Sequence, residues 1–180
     1  MTTMKYITIL FLFISIFTTG QGVKYQTYSA DLLIIAHKDG QDFQWQNKDI
    51  LASLNYKTGD LKIEIKNTDF FNKESKEKLI DEDEVIEYTF KGMLPIEQIL
   101  DQKPNTKEYI IELQLVNDDI DFSYLVNFKM NVMRTSQQSG SYRVFTFSGT
   151  LYNDELQFPA FKGYDNDVEI RIMFNAFWNG

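Results

Sequence analysis

The residues that could do chemistry in this chain are few, and most of them are carboxylates. Asp81-Glu82-Asp83-Glu84 is a run of four acids, Asp118, Asp119 and Asp121 crowd one turn, and Asp165 and Asp167 flank Asn166. Oxygen-rich clusters of this kind suit calcium. The run Asp81 to Glu84 lacks the spacing and the glycine of a calcium-binding loop and reads better as a solvated helix end, and the other two are similarly weak candidates. Paired Asp and Glu could also serve glycoside hydrolysis, but acids on alternating strands face water, and no pair is singled out by spacing. Trp45 and Trp178 could stack on sugar rings, as single aromatic residues near each end of the chain. His37 is the single histidine and there are 0 cysteines. Disulfides, thiolate zinc sites, iron–sulfur clusters, a cysteine nucleophile and a lipid-modified cysteine anchor are thereby excluded. A multi-histidine metal site is excluded too, and a Ser–His–Asp arrangement would have to be built on His37 alone. We therefore expect no catalytic residues, no metal site and no cofactor, and read the chain as a non-enzyme.

The other chemistry available is apolar. Phe and Tyr number 15 and 10, and aromatic residues make up 15% of the chain. Their placement is regular. From Asp121 to Arg134, Phe122, Tyr124, Val126, Phe128, Met130 and Val132 take every second place. Ser123, Asn127, Lys129 and Asn131 fill the places between, with Leu125 as the exception. That is a strand with one apolar face and one wet face. Phe90, Tyr124, Phe128, Phe147 and Phe174 fall on such stripes and are the candidate ligand-binding residues. They line a pocket if the interior keeps room, and form a dry core if it does not; parity assigns the face and leaves the volume open.

The elements that must position these residues follow from the same periodicity. Tyr25 to Lys38 carries Ala30, Leu32, Ile34 and Ala36 on one parity, with Leu33 and Ile35 apolar on the other. Ile50 to Tyr56 and Leu61 to Ile65 alternate on either side of Lys57-Thr58-Gly59-Asp60, a hairpin signal with a glycine for the turn. Phe43 to Gln46 is short, a loop or an edge. Asp69 to Glu87 is highly charged. Asn72 can cap a helix there, with Glu74 and Glu77 near its positive end, so a short charged helix is expected, either a lid or a solvated crossover. Tyr88 to Leu94, Tyr109 to Val116, the Phe122 stripe, Phe145 to Leu151 and Val168 to Phe174 complete the strands. Ile96 to Asp101 is long enough for one helical turn. Lys103-Pro104-Asn105 and Thr135 to Gly140 read as loops, and Leu156 to Phe161, with Pro159, as an edge or irregular return. The sum is about eight strands at antiparallel spacing. The fold class expected is all-β: an antiparallel lipocalin-like barrel, or a strongly curled sheet, with one short charged helix. No βαβ rhythm points to a doubly wound nucleotide-binding sheet.

At 180 residues the length suits one domain. Lys5, the apolar run from Tyr6 to Phe17, and the small residues Thr18, Thr19 and Gly20 follow the order of a secretory signal peptide. The run is shorter than the roughly 20 residues that span a bilayer. Residues 1–22 are therefore expected to be a signal peptide, cut between Gly20 and Val23, and residues 23–180 a single β-barrel domain. No membrane span is expected after processing, and the location expected is periplasmic or secreted. The net charge of −8 argues against binding a nucleic-acid backbone or anionic lipid surfaces.

Several stretches resemble the YceI-like family. The hairpin Leu51-Ala52-Ser53-Leu54-Asn55-Tyr56-Lys57-Thr58-Gly59-Asp60-Leu61-Lys62-Ile63-Glu64-Ile65 is similar to that family's early hairpin. Tyr88-Thr89-Phe90-Lys91-Gly92 stands where the family has a Thr-Phe-x-Gly strand, and Asp167-Val168-Glu169-Ile170-Arg171-Ile172 resembles its last strand. The family's His-Ser pair on the first strand is missing, and Tyr28-Ser29-Ala30-Asp31 stands near that place. The resemblance implies an exported, lipocalin-like barrel whose core holds a long isoprenoid or fatty chain. The functional expectation is an exported binding protein for an apolar small molecule, a lipid or isoprenoid. The alternative is a structural or protein-interaction module with a filled core and no ligand.

Overall fold

The computed structural model describes residues 24–27, 30–79, 85–101, 107–137, 140–156 and 161–178. The expected signal peptide, the acidic run Asp81 to Glu84, the Lys103-Pro104-Asn105 loop and Pro159 lie outside the described residues.

Alternating apolar residues build the strands in order: β1 (Lys24–Thr27), β2 (Ala30–Lys38), β3 (Gln41–Asn47), β4 (Leu51–Asn55), β5 (Asp60–Lys66), β6 (Phe71–Asn72), β7 (Glu87–Met93), β8 (Lys107–Asn117), β9 (Phe122–Gln137), β10 (Gly140–Tyr152) and β11 (Asp167–Trp178). Among the described residues there are two short α-helices, α1 (Ile96–Leu100) and α2 (Asn153–Leu156), and one 3-10 turn at Asn67–Asp69. Every strand pairing is antiparallel, in the order β1-β4-β5-β7-β8-β9-β10-β11-β2-β3-β6. β1 pairs with β4 and β2 pairs with β11, and Tyr28 and Ser29 are all that separates β1 from β2 in sequence. β1 also lies against β11. One stretch of chain thus holds both margins of a strongly curled sheet, and β3 and β6 extend beyond it as a flap. The protein is an all-β, antiparallel, barrel-like fold.

The alternation seen in the sequence is the inside–outside alternation of this sheet. β5 buries Leu61, Ile63 and Ile65 and exposes Asp60, Lys62 and Lys66. β8 buries Tyr109, Ile111, Leu113 and Leu115 and exposes Ile110, Glu112 and Gln114. Residues facing each other across strands keep to one side, as in Ile63↔Phe90↔Leu115↔Tyr124. A slip of one residue in any of these strands would turn its apolar set outward.

The expected hairpin forms as β4 and β5. The Asn55 side chain accepts the Lys57 N–H at 2.9 Å, and Gly59 closes the turn at φ +86°. Three expectations are revised. Among the described residues eleven strands form where about eight were expected; the eight runs are the staves of the curl, with 24–38 divided in two and β3 and β6 added. Thr135 to Gly140 is largely strand, since β9 runs to Gln137 and β10 restarts at Gly140. The charged helix expected near Asn72 is absent among the described residues. Asn72 Oδ1 accepts the N–H groups of Glu74 and Ser75, both at 2.9 Å, and Phe71 pairs with Gln46 and with Lys78. The acceptor that caps a helix also closes a turn, and strand pairing on either side selected the turn.

Candidate functional site

The inner face of the curl carries a chain of touching aromatic rings. Phe90 meets Phe128 edge-on at 5.6 Å between centroids, and Phe128 meets Phe147 edge-on at 6.1 Å. Phe147 stacks on Phe174 at 5.6 Å, and Phe145 stacks on Phe174 at 5.0 Å. β7, β9, β10 and β11 supply these rings, and antiparallel register brings them to one depth. Such pairs contribute about 0.5–1.5 kcal/mol each beyond area burial. Gly149 stands opposite Phe128, and a Cβ there would meet the Phe128 ring at 3.0 Å. The missing side chain is what gives the ring its place.

Four of the five residues singled out for ligand binding, Phe90, Phe128, Phe147 and Phe174, are members of this chain. Phe145 joins them. Phe145 and Phe147 expose 0% of their surface and Phe90, Phe128 and Phe174 1% each, so the five rings are buried against one another and their neighbours. Tyr124, the fifth residue, shares their parity but stands apart and half-buried, further along β9. Burial, and then a hydrogen bond to the Glu155 carboxylate from α2, push its phenol up to about 12.

The two ends of the interior differ. At one end β3 contributes Phe43 and Trp45, which pack with Phe161 and Tyr164; Trp45 meets these two edge-on at 5.6 and 5.5 Å. The other end, capped by α1 through Ile96 and Ile99, is polar. Arg143 on β10 is 1% exposed, the largest fully buried side chain described. Burial pulls its pKa down, and a hydrogen bond with the Tyr56 hydroxyl and the nearby Tyr109 phenol act the other way. The Tyr109 hydroxyl donates to the Gln98 carbonyl on α1 at 3.4 Å. Sequence reasoning missed Arg143, although its signal was present: it has the parity of Phe145, Phe147 and Leu151.

The two carboxylate candidates among the described residues, Asp118 to Asp121 and Asp165 to Asp167, lie at turns. Asn117 Oδ1 accepts the Asp119 N–H at 2.8 Å, and Asp118 pairs with Lys91 at 3.4 Å on the surface. Asn166 Oδ1 accepts the Asp154 N–H at 2.9 Å. Among the described residues no three His, Cys, Asp or Glu side chains come together as metal ligands. His37 Nδ1 sits 2.8 Å from Asp42 on the sheet surface, with Glu169 at 4.0 Å. Among the described residues no helix is long and apolar enough to cross a membrane. A second concave feature lies on the outer face of β9–β11, a groove of about 550 Å³ over Leu125, Asn127, Lys129, Ser148, Thr150 and Arg171. Its volume is in the range of small-molecule sites.

No known protein family matches the sequence, and no curated protein does. Among solved structures, the fold is similar to a polyisoprenoid binding domain from Saccharophagus degradans implicated in plant cell wall breakdown. The TM-score is 0.66 at 6% sequence identity, over 86% of this chain and 97% of that one.

Proposed function

We propose that the protein is an exported binding protein for an apolar small molecule, a lipid or isoprenoid, held inside the curled sheet. One observation carries the reading: the apolar interior contains a chain of touching aromatic rings, on a fold similar to that of a polyisoprenoid binding domain. Phe90, Phe128, Phe147 and Phe174 form the wall of the site and Tyr124 lies along its extension. The rings are buried against one another as they stand, so a ligand enters by parting them. Phe–Phe contacts are broken and replaced by ring–alkyl contacts of similar dispersion energy. Residues 1–22 direct export, in keeping with the charged, apolar and small-residue order of the leader, and the protein works in the periplasm or outside the cell.

The close packing of the rings favours a second reading, in which the core is permanently filled and the outer surface does the work. Mass spectrometry of the protein purified from its native source, before and after organic extraction, separates the two. The binding reading expects a stoichiometric apolar compound in the extract. An empty protein that gains no thermal stability from isoprenoids or fatty acids establishes the filled-core module instead. The same material tests export, because N-terminal sequencing must begin at or just after Gln21; a chain starting at Met1 refutes processing.

A further inference from the structure

The polar end of the interior has a charge pattern that an apolar site does not need. Arg143 on β10 and Arg134 on β9 are directly opposite each other. Arg134 follows the parity of the buried Met130 and Val132, so the two arginines share the inner face, one buried and one at the exposed rim. Like charges directly opposite on a sheet repel, and Arg134 is one of the groups that lower the Arg143 pKa. The next strand adds a third cation on the same face. Lys107 on β8 is opposite Val132, and its Nζ lies 5.0 Å from the centroid of the Tyr109 ring. Glu108, the neighbouring acid, has the opposite parity and faces out. Three cations on three adjacent strands thus meet at one rim of a protein whose net charge is −8. Tyr56 and Tyr109 add hydroxyls beside the buried guanidinium.

We propose that this rim binds the acidic headgroup, a carboxylate or phosphate, of an amphipathic ligand whose apolar chain occupies the aromatic interior. The proposal rests on the apolar-ligand reading above and adds the ligand's chemical class. A guanidinium is a planar fork that matches a carboxylate or phosphate two bonds at a time. An anion seated between Arg143 and Arg134 turns their repulsion into two attractions. Burying a cation is costly even when it is paired, a cost a purely apolar carrier would avoid by placing Leu or Met there. The depth of Arg143 also orients the ligand, with the headgroup at the α1 end and the chain running toward Phe145 and Phe174.

The test uses the full-length protein and three probes of one chain length: palmitate, hexadecanol and hexadecyl phosphate. Each displaces the neutral dye N-phenyl-1-naphthylamine. The expected result is that at least one of the two anions binds about tenfold or more tightly than the alcohol, the ratio that one charge-assisted hydrogen bond supplies. The tighter anion identifies the headgroup. Arg134→Gln and Lys107→Gln, both at the exposed rim, each reduce that ratio, and Arg143→Met brings it to about one. If Arg143→Met fails to fold, the two rim variants carry the test. A purely structural Arg143 predicts ratios that no rim variant moves. Equal binding of all three probes by the unaltered protein overturns the headgroup inference and leaves apolar binding standing. Binding of none of the three overturns both.

Discussion

Tyr124 illustrates how one side chain reports on its surroundings. Its parity is that of the interior rings, yet its hydroxyl reaches the Glu155 carboxylate at the start of the next crossing. The phenol's ordinary value of 10.0 rises to about 12, first through burial and then through that hydrogen bond. The sign follows from linkage. The folded state holds the proton more tightly than the unfolded chain, so the stabilisation is fully present below about pH 10 and is lost as pH rises from about 10 to about 12. Denaturant unfolding at about pH 9 and about pH 11.5 should show this alkaline loss, and Tyr124→Phe should reduce it. An unchanged pH dependence in the variant would assign the loss to other groups, such as Tyr88, whose phenol is also raised by burial. The periodicity of β9 announced the inward placement of Tyr124. Its partner could not be inferred, because Glu155 lies 31 residues away in sequence, beyond the long strand β10.

Elements are held to one another by a few backbone contacts that patterns of side chains do not reveal. The β4–β5 turn is tied to the chain entering α1: the Leu94 N–H donates to the Gly59 carbonyl at 2.9 Å, and the Gly59 N–H donates to Asn55 at 2.8 Å. Gly59 has φ +86°, and a Cβ on it would run into the Leu94 carbonyl oxygen. Gly59→Ala should therefore cost about 2–3 kcal/mol, combining left-handed backbone strain with a backbone collision. Urea unfolding measures it, and a loss under 0.5 kcal/mol, on the order of an ordinary surface change, would refute the tie. The hairpin itself was legible, because Lys57-Thr58-Gly59-Asp60 between two alternating runs is a local signal. The segment after Asn72 was not. Its capping residue, acids and scattered apolar side chains satisfy a helix and a turn alike, and the strand edge at Gln46 that settled the matter is contributed by β3.

For the molecule as a whole, the governing quantity is how completely the interior is filled. Phe147 exposes nothing and touches Phe128 and Phe174. Phe147→Ala should lower stability by about 3–5 kcal/mol through lost transfer energy and a cavity. If the variant folds, small aromatic solutes should restore part of that stability, since an apolar cavity of this kind stays dry and accepts them. A cost below about 1 kcal/mol would mean that the rings collapse into the gap, and that the interior is softer than its packing indicates. The sequence by itself determined the class of fold, the parity of the strands and the aromatic character of the inner face. These follow from a period of two, which is a local property of the chain. Only the tertiary structure decided that Phe90, Phe128, Phe145, Phe147 and Phe174 meet ring to ring, that Arg143 is buried beside Tyr56, and that Arg134 stands opposite Arg143. Those facts depend on the curl and on strand register, which bring residues from across the chain to the same depth.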